Sequence, residues 1–331
     1  MDLDAFVAEH ATDWRRLEQL AARRRRLSAA ETDELVALYQ RTATHLSIVR
    51  SRLPDPALVA RLSRLVLGAR GALTGSPTRF WSALSRFVAQ SFPVAVYRAW
   101  PWWTGVAAGF IGVAGWLMAY YATHPADVLQ FIPQSEVDDV VNRSFEAYYR
   151  QAPPQNFAFA VWTNNAQVTA ICLASGVLVA PVFFMLFINV FNLGLIGGIM
   201  IGNGRPGTFF GLLLIHGMLE MTCIFVAAGV GLRIGWAWIA PGPYRTRGQA
   251  LAETARAGMV VALGLAGVLL VSGVIEAFVT PYTPIPIGLS IGGVAWLGFL
   301  CYVVVLGRMA AHIGLTGDVA DEARPAAVPT A

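Results

Sequence analysis

The residues best placed to do chemistry sit where polarity is most expensive, inside long apolar runs. His216-Gly-Met-Leu-Glu220 falls within one such run, Glu276 near the end of a second, and Asn164 and Asn165 in a third. Residues four apart share one face of a helix, so the imidazole of His216 and the carboxyl of Glu220 point into the same space. Ionisable groups at membrane depth are costly and mark relays, ion paths or tightly paired contacts. Two chemistries are therefore open. These side chains can hydrogen-bond one another and pin helices together, or they can line a polar cavity for a proton, an ion or a lipid headgroup. Gln167, Asn189 and Asn192 are further polar residues inside apolar runs, and Asn203 stands at the end of one.

A metal is not indicated by this pattern. His216 and Glu220 are two donors where a zinc site needs three or four, and their order is not His-Glu-x-x-His. The soluble part ahead of the apolar runs has no phosphate loop, no GxSxG elbow and no Cys/His nucleophile pairing, so no catalytic residue and no cofactor is expected. A membrane-embedded enzyme acting on a lipid-linked substrate through His216 and Glu220 is the lesser alternative.

The elements that must hold these residues follow from composition. Hydrophobic residues make up 56% of the 331 and charged residues 13%, against about 25% charged in a soluble protein. Thr104–Ala122 is an apolar run of the length a ~30 Å hydrocarbon layer requires. Gln151 to Gly204 holds no charged residue, which is too long for one crossing at ~1.5 Å per residue. The reading is an all-α polytopic membrane protein with about six transmembrane helices, near 104–122, 157–179, 182–202, 208–232, 257–279 and 287–307. A tail over 309–331, rich in Ala and Pro, is expected to be disordered.

Ahead of the spans, residues 1–103 form an arginine-rich helical domain, with 15 of the 24 arginines against 9 of the 20 acids. Trp14, Leu17 and Leu20 share a stripe. Ser28-Ala-Ala-Glu31 is a capping box, Asp55-Pro56 opens a third helix and Ser76-Pro77 a fourth. That fourth helix sets Phe80, Trp81, Leu84, Phe87 and Val88 against Arg79 and Arg86, ends at Pro93 and runs into Trp100, Trp102 and Trp103, a pattern suited to the membrane interface. No secretory signal opens the chain, so the first span is expected to direct insertion. Arginine bias sets the orientation: both termini and the 233–256 loop are expected on the cytoplasmic side, and the acidic 123–156 loop outside. Contact with anionic lipid explains the basic N-terminal domain more simply than nucleic acid does, and no nucleic-acid partner is expected. Cys172, Cys223 and Cys301 read as small apolar fillers. Gly194, Gly198 and Gly202 repeat every four residues, and Gly105/Gly109 and Gly288/Gly292 share that spacing. Such stripes let helices approach closely, within one subunit or across a homo-oligomer.

Several blocks resemble the stage II sporulation protein M family of bacterial integral membrane proteins. They are Asn164-Asn165, Asn203-Gly204, His216-Gly-Met-Leu-Glu220, Gly229-Val-Gly-Leu-Arg-Ile-Gly235 and Ile275-Glu-Ala-Phe-Val-Thr-Pro281. The stretch around Trp14-Arg-Arg-Leu-Glu18 and Leu35–Tyr39 is similar to the actinobacterial branch. The resemblance implies a non-enzymatic component of the bacterial inner membrane. In spore formers the namesake acts with stage II sporulation proteins D and P. Relatives in other bacteria tend to be encoded beside RDD-family membrane proteins and MoxR-type ATPases, which are the partners the resemblance implies. The leading expectation is a membrane scaffold, self-associating, that organises a cell-envelope complex through its N-terminal domain. The alternative is a transporter or channel built on Glu220, His216, Glu276, Asn164 and Asn165.

Overall fold

The computed structural model describes residues 3–23, 27–52, 55–74 and 78–318, all helix, turn or loop with no strand among them. Arg24–Arg26, Ser76-Pro77 and the tail from 319 onward lie outside the described residues. The chain divides into two units, Met1–Leu84 and Ser85–Ala331.

In the first unit, α1 (Leu3–Ala22), α2 (Ala29–Arg52) and α3 (Pro56–Thr74) pack on one another. The capping box forms: Glu31 N–H donates to Ser28 Oγ at 3.2 Å and Ser28 N–H to Glu31 Oε2 at 2.8 Å. Asp55 Oδ1 accepts from Leu58 N–H at 2.7 Å, which opens α3. Leu17, Leu20, Leu35 and Leu38 are buried together, each worth about 1.5–3 kcal/mol of transfer free energy. α1 starts ten residues before Asp13, where the stripe of Trp14 and Leu17 first becomes legible. Phe6 and His10 extend it, and His10 stacks on His45 at 4.0 Å while Trp14 Nε1 donates to His45 Nδ1 at 3.2 Å.

The second unit begins within α4 (Thr78–Arg86) and continues through a π turn (Phe87–Ser91) into α5 (Phe92–Arg98) and α6 (Trp100–Thr123). Three short helices follow, α7 (Pro125–Val128), α8 (Gln134–Asp139) and α9 (Phe145–Ala147). The rest is α10 (Pro154–Ala174), α11 (Ala180–Gly202), α12 (Pro206–Ile239), α13 (Arg247–Phe278) and α14 (Ile285–His312). Five of these, α6, α11, α12, α13 and α14, are long and apolar enough to cross a membrane. α10 is less apolar because Asn164, Asn165 and Gln167 interrupt it, yet it traverses the bundle from end to end. Its start lies by the loop in which Arg150 donates to Pro281 O. The backbone just beyond its end meets Gly231, near the far end of α12.

Most helices run past their apolar segments. α12 extends to Ile239 where 232 was expected, and α13 starts at Arg247 where 257 was expected, because a second capping box, Thr246 with Gln249, closes its polar first turn. α10 ends earlier than the expected 179. A 3-10 turn over Gly176–Leu178 leads to Val179, whose φ of 61° takes the chain out of the helix.

Two expectations need correction. The division between the units falls at Leu84/Ser85 and not at 103: Phe92, Ala95 and Val96 lie in the core of the second unit with Leu265, Leu269 and Phe299, while Phe80, Trp81 and Val88, earlier in the expected interfacial helix, are exposed. Arginines opposite aromatics look alike in either setting. The tail expected to be disordered from 309 is ordered to Asp318, since α14 continues to His312 and Asp318 is buried against Arg256.

The glycine stripe of α11 is consumed inside the chain. A Cβ on Gly198 would come within 2.5 Å of Tyr121 Cβ, and one on Gly194 within 2.5 Å of Leu117 Cβ, so α6 and α11 pack where a side chain would hold them apart.

Candidate functional site

α12 packs against α6, α10, α11, α13 and α14 and so forms the centre of the bundle. One turn of α12 carries His216 and Glu220 inward. α13 runs antiparallel to it and brings Glu276 opposite His216, and α10 brings Asn165. The donor atoms of His216, Glu220 and Glu276 all lie within 4.8 Å of one another. His216 and Glu276 are almost fully enclosed, with side chains 6% and 5% exposed, whereas Glu220 keeps partial exposure.

The polar contacts run mainly between helices. His216 Nε2 stands 3.8 Å from Glu276 Oε1, an ion-pair distance too long for a hydrogen bond. His216 Nδ1 is 3.4 Å from Thr280 Oγ1, and Ser272 Oγ donates to the His216 carbonyl at 3.3 Å. Asn165 is the hydrogen-bonding neighbour of Glu220, and Asn164 donates to Asn165 Oδ1 at 3.4 Å. One group is unsatisfied: Glu276 Oε2 is buried with no partner.

A roof closes this centre. The Tyr149 ring meets His216 edge-on at 5.8 Å between centroids. Burial, and then the neighbouring Glu276 carboxyl, push the Tyr149 phenol above its ordinary range, so it keeps its proton. Arg150 fixes this stretch to the backbone after α13 through its bond to Pro281 O.

Of the polar residues singled out from the sequence, Asn165, His216, Glu220 and Glu276 converge. Asn164 stands beside them, exposed. Asn189 and Asn203 instead donate back to carbonyls one turn earlier, Met185 O and Ile199 O. Sequence reasoning did not reach Tyr149, Ser272 or Thr280. Tyr149 lies in a loop, and short hydroxyls in an apolar helix look like ordinary filler. Glu276 was visible as a costly residue. Its place as a third donor beside His216 and Glu220 was not, and the expectation of too few metal ligands counted only two.

The same helices carry the glycine-rich block of α12. A Cβ on Gly229 would strike the Trp103 backbone at 2.6 Å and one on Gly235 the Gly176 carbonyl at 2.6 Å, while Gly231 faces the Cys172 carbonyl. These glycines let α6 and α10 cross α12 at backbone contact. A family profile described as stage II sporulation protein M matches residues 105–281. The chain belongs to the stage II sporulation protein M family. The matched stretch runs from α6 to just past α13 and contains all four converging residues, the roof and the glycine block. Residues 4–75, which hold α1 to α3, match a second profile described as a domain of unknown function, DUF8413. No curated protein and no solved structure matches the chain significantly.

Proposed function

We propose that this member of the stage II sporulation protein M family is a non-enzymatic scaffold of the bacterial inner membrane. Its bundle is the anchor and its N-terminal helical unit is the part that other envelope components grip. One observation carries the reading: several polar side chains of the bundle pair helix to helix. Trp296 Nε1 donates to Thr222 Oγ1 at 3.0 Å, Trp162 Nε1 to Ala266 O at 2.9 Å, and Ser272 and Thr280 hold His216. Polar contacts of this kind fix helices in lipid, each worth about 0.6 kcal/mol on average and up to about 1.7.

With α10 counted as the sixth crossing, the arginines 98, 233, 245 and 256 fall at one end and the acidic 123–156 loop at the other, and the charge rule makes the arginine end cytoplasmic. α14 ends at that end, with His312, and the basic composition of residues 1–84 argues for the same side. Self-association is part of this proposal, motivated by the glycine-rich span faces, of which Gly105 and Gly109 have open space around them; contact with RDD-family proteins or a MoxR-type ATPase rests on the resemblance.

The second reading is a cation-handling centre, a transporter or channel, and the unpartnered Glu276 Oε2 beside two further donors favours it. Imidazole plus two carboxylates is a donor set suited to zinc, manganese or ferrous iron. Proteoliposomes separate the two readings. The scaffold reading expects no proton or divalent-cation flux above that of empty vesicles, in the intact protein or in Glu220→Gln. A flux that Glu220→Gln abolishes would overturn it.

A further inference from the structure

At the opposite end of the bundle from the histidine centre, a cavity of about 220 Å³ opens among α5, α12, α13 and the segment after α14. Its charge is unbalanced. Arg98, Arg233 and Arg245 line it, with Glu253 and Asp318 as the only carboxylates on its wall among the described residues. Both carboxylates are already engaged. Glu253 Oε2 accepts from Arg245 at 2.8 Å, and Asp318 takes a two-pronged contact from Arg256, 2.6 Å on each prong. Arg98 spends its Nε on the Leu315 carbonyl at 2.8 Å, which leaves its terminal nitrogens free of that bond. Arg233 has neither a hydrogen bond nor an ion pair with any described residue, and its charged neighbours are Arg98 and Arg245.

Of the three guanidiniums on the wall, Arg245 is paired with Glu253, and Asp318 is taken by Arg256 from outside the lining, so among the described residues Arg98 and Arg233 have no carboxylate of their own. Like charges held together in this way repel, and the repulsion persists only if other interactions hold the groups or an anion offsets it. The surrounding chain does hold them. Arg233 stands between Gly231 and Gly235, whose close backbone contacts fix that part of α12, and Arg98 and Asp318 are tied down by the bonds above. Thr254 and Thr316 add hydroxyls to the wall.

We propose that this cavity binds a phosphate group through Arg98 and Arg233, with Arg245 as the third cation. Planar guanidiniums suit phosphate oxygens in a way a lone ammonium does not, and a negatively charged phosphate offsets the repulsion between Arg98 and Arg233. The group comes from the headgroup of an anionic lipid or from free phosphate. Depth favours the headgroup. Trp102 and Trp236, 6.1 Å apart between ring centroids, sit at the same end of the bundle, and Trp236 and Trp238 are exposed there, as in the aromatic belt at a membrane boundary.

The test uses the full chain in zwitterionic nanodiscs, with thermal unfolding and native mass spectrometry as readouts. The probes are short-chain phosphatidylglycerol, short-chain phosphatidylcholine as control, and inorganic phosphate at matched ionic strength. Phosphatidylglycerol should bind and raise the melting temperature of the intact protein, and Arg233→Gln should weaken that binding at least tenfold. Without ligand, Arg233→Gln should be no less stable than the intact protein, since it removes a repelled charge; this guards against reading misfolding as lost binding. Stabilisation by inorganic phosphate alone would support the site and assign it to the free anion. Equal responses to phosphatidylglycerol and phosphatidylcholine, with none to phosphate, would overturn the proposal, as would lipid binding unchanged in Arg233→Gln with Arg98→Gln.

Discussion

Glu276→Met asks what the buried centre is for, because the two readings give opposite signs. Glu276 makes no hydrogen bond in this structure: Oε1 stands 3.8 Å from His216 Nε2 and Oε2 has no partner. A buried polar group left unsatisfied costs about 1–3 kcal/mol, and Glu276→Met removes that group without breaking a hydrogen bond. If the bundle is a scaffold with nothing bound, methionine should remove that cost. At roughly 2–4 °C per kcal/mol for a domain of 150–250 residues, the melting temperature should hold or rise, by up to about 10 °C. If a cation occupies the centre, the substitution deletes a ligand. At a hundred to a thousand times the dissociation constant, a bound ion contributes about 3–4 kcal/mol, so the same change should lower the midpoint by about 6–15 °C.

The assay is thermal unfolding of intact and variant protein in nanodiscs, with and without chelator, followed by tryptophan fluorescence. Elemental analysis of the purified protein accompanies it. The scaffold reading expects a flat or upward shift and no effect of chelator. A fall of more than about 5 °C in Glu276→Met, together with a chelator-sensitive intact protein containing stoichiometric metal, would refute the reasoning.

Two further outcomes test the packing of each unit. Gly198→Val should destabilise the bundle by about 1–3 kcal/mol through overpacking, because its Cβ meets Tyr121 Cβ at 2.5 Å, whereas Gly109→Val, with nothing within 4 Å, should be near neutral; equal costs in chemical unfolding would remove the argument that the α11 stripe is used within the chain. In the N-terminal unit, burial and then His10 lower the His45 pKa below its usual 6.5. The folded state thus binds the proton less readily than the unfolded one, and stability present above pH 6.5 is lost as the pH falls through the lowered value. Hydrogen exchange corrected for intrinsic rates should show α1 and α2 losing protection below pH 6.5, and His45→Gln should flatten that dependence; an unchanged slope would point to other groups.

How much of this was legible depended on whether the signal was local. The capping box at Ser28 and Glu31, the helix opening at Asp55 and the apolar runs are local, and each appears where the residues place it. The pairing of His216 with Glu220 is also local, a matter of one helical turn. Glu276 is sixty residues further on, and only the antiparallel packing of α12 and α13 makes it a neighbour. The tyrosine roof depends on where a loop folds back, which no periodicity records. The packing of the segment after Arg86 was not legible for another reason. Its arginines and aromatics satisfy the pattern of an interfacial helix, but Phe92 finds the notch left by Gly264, 172 residues on, and a missing side chain at that distance is not a signal that helix can carry.

The two polar features of the bundle differ in a way that bears on mechanism. In the histidine centre the shortfall is a partner for an acceptor, Glu276 Oε2, and a proton or cation would satisfy it. In the arginine cavity the shortfall is a partner for a donor, Arg233, and an anion would satisfy it. They lie at opposite ends of α12, which is fixed between them by the backbone contacts of Gly229 and Gly231. Packed to that degree, α12 has little freedom to repack locally, so occupancy at one end could reach the other only by shifting the helix as a body. Interiors close-packed in this way deform little. A scaffold built on such a helix is rigid by construction, and that is the property an anchor needs and an alternating-access carrier would have to break.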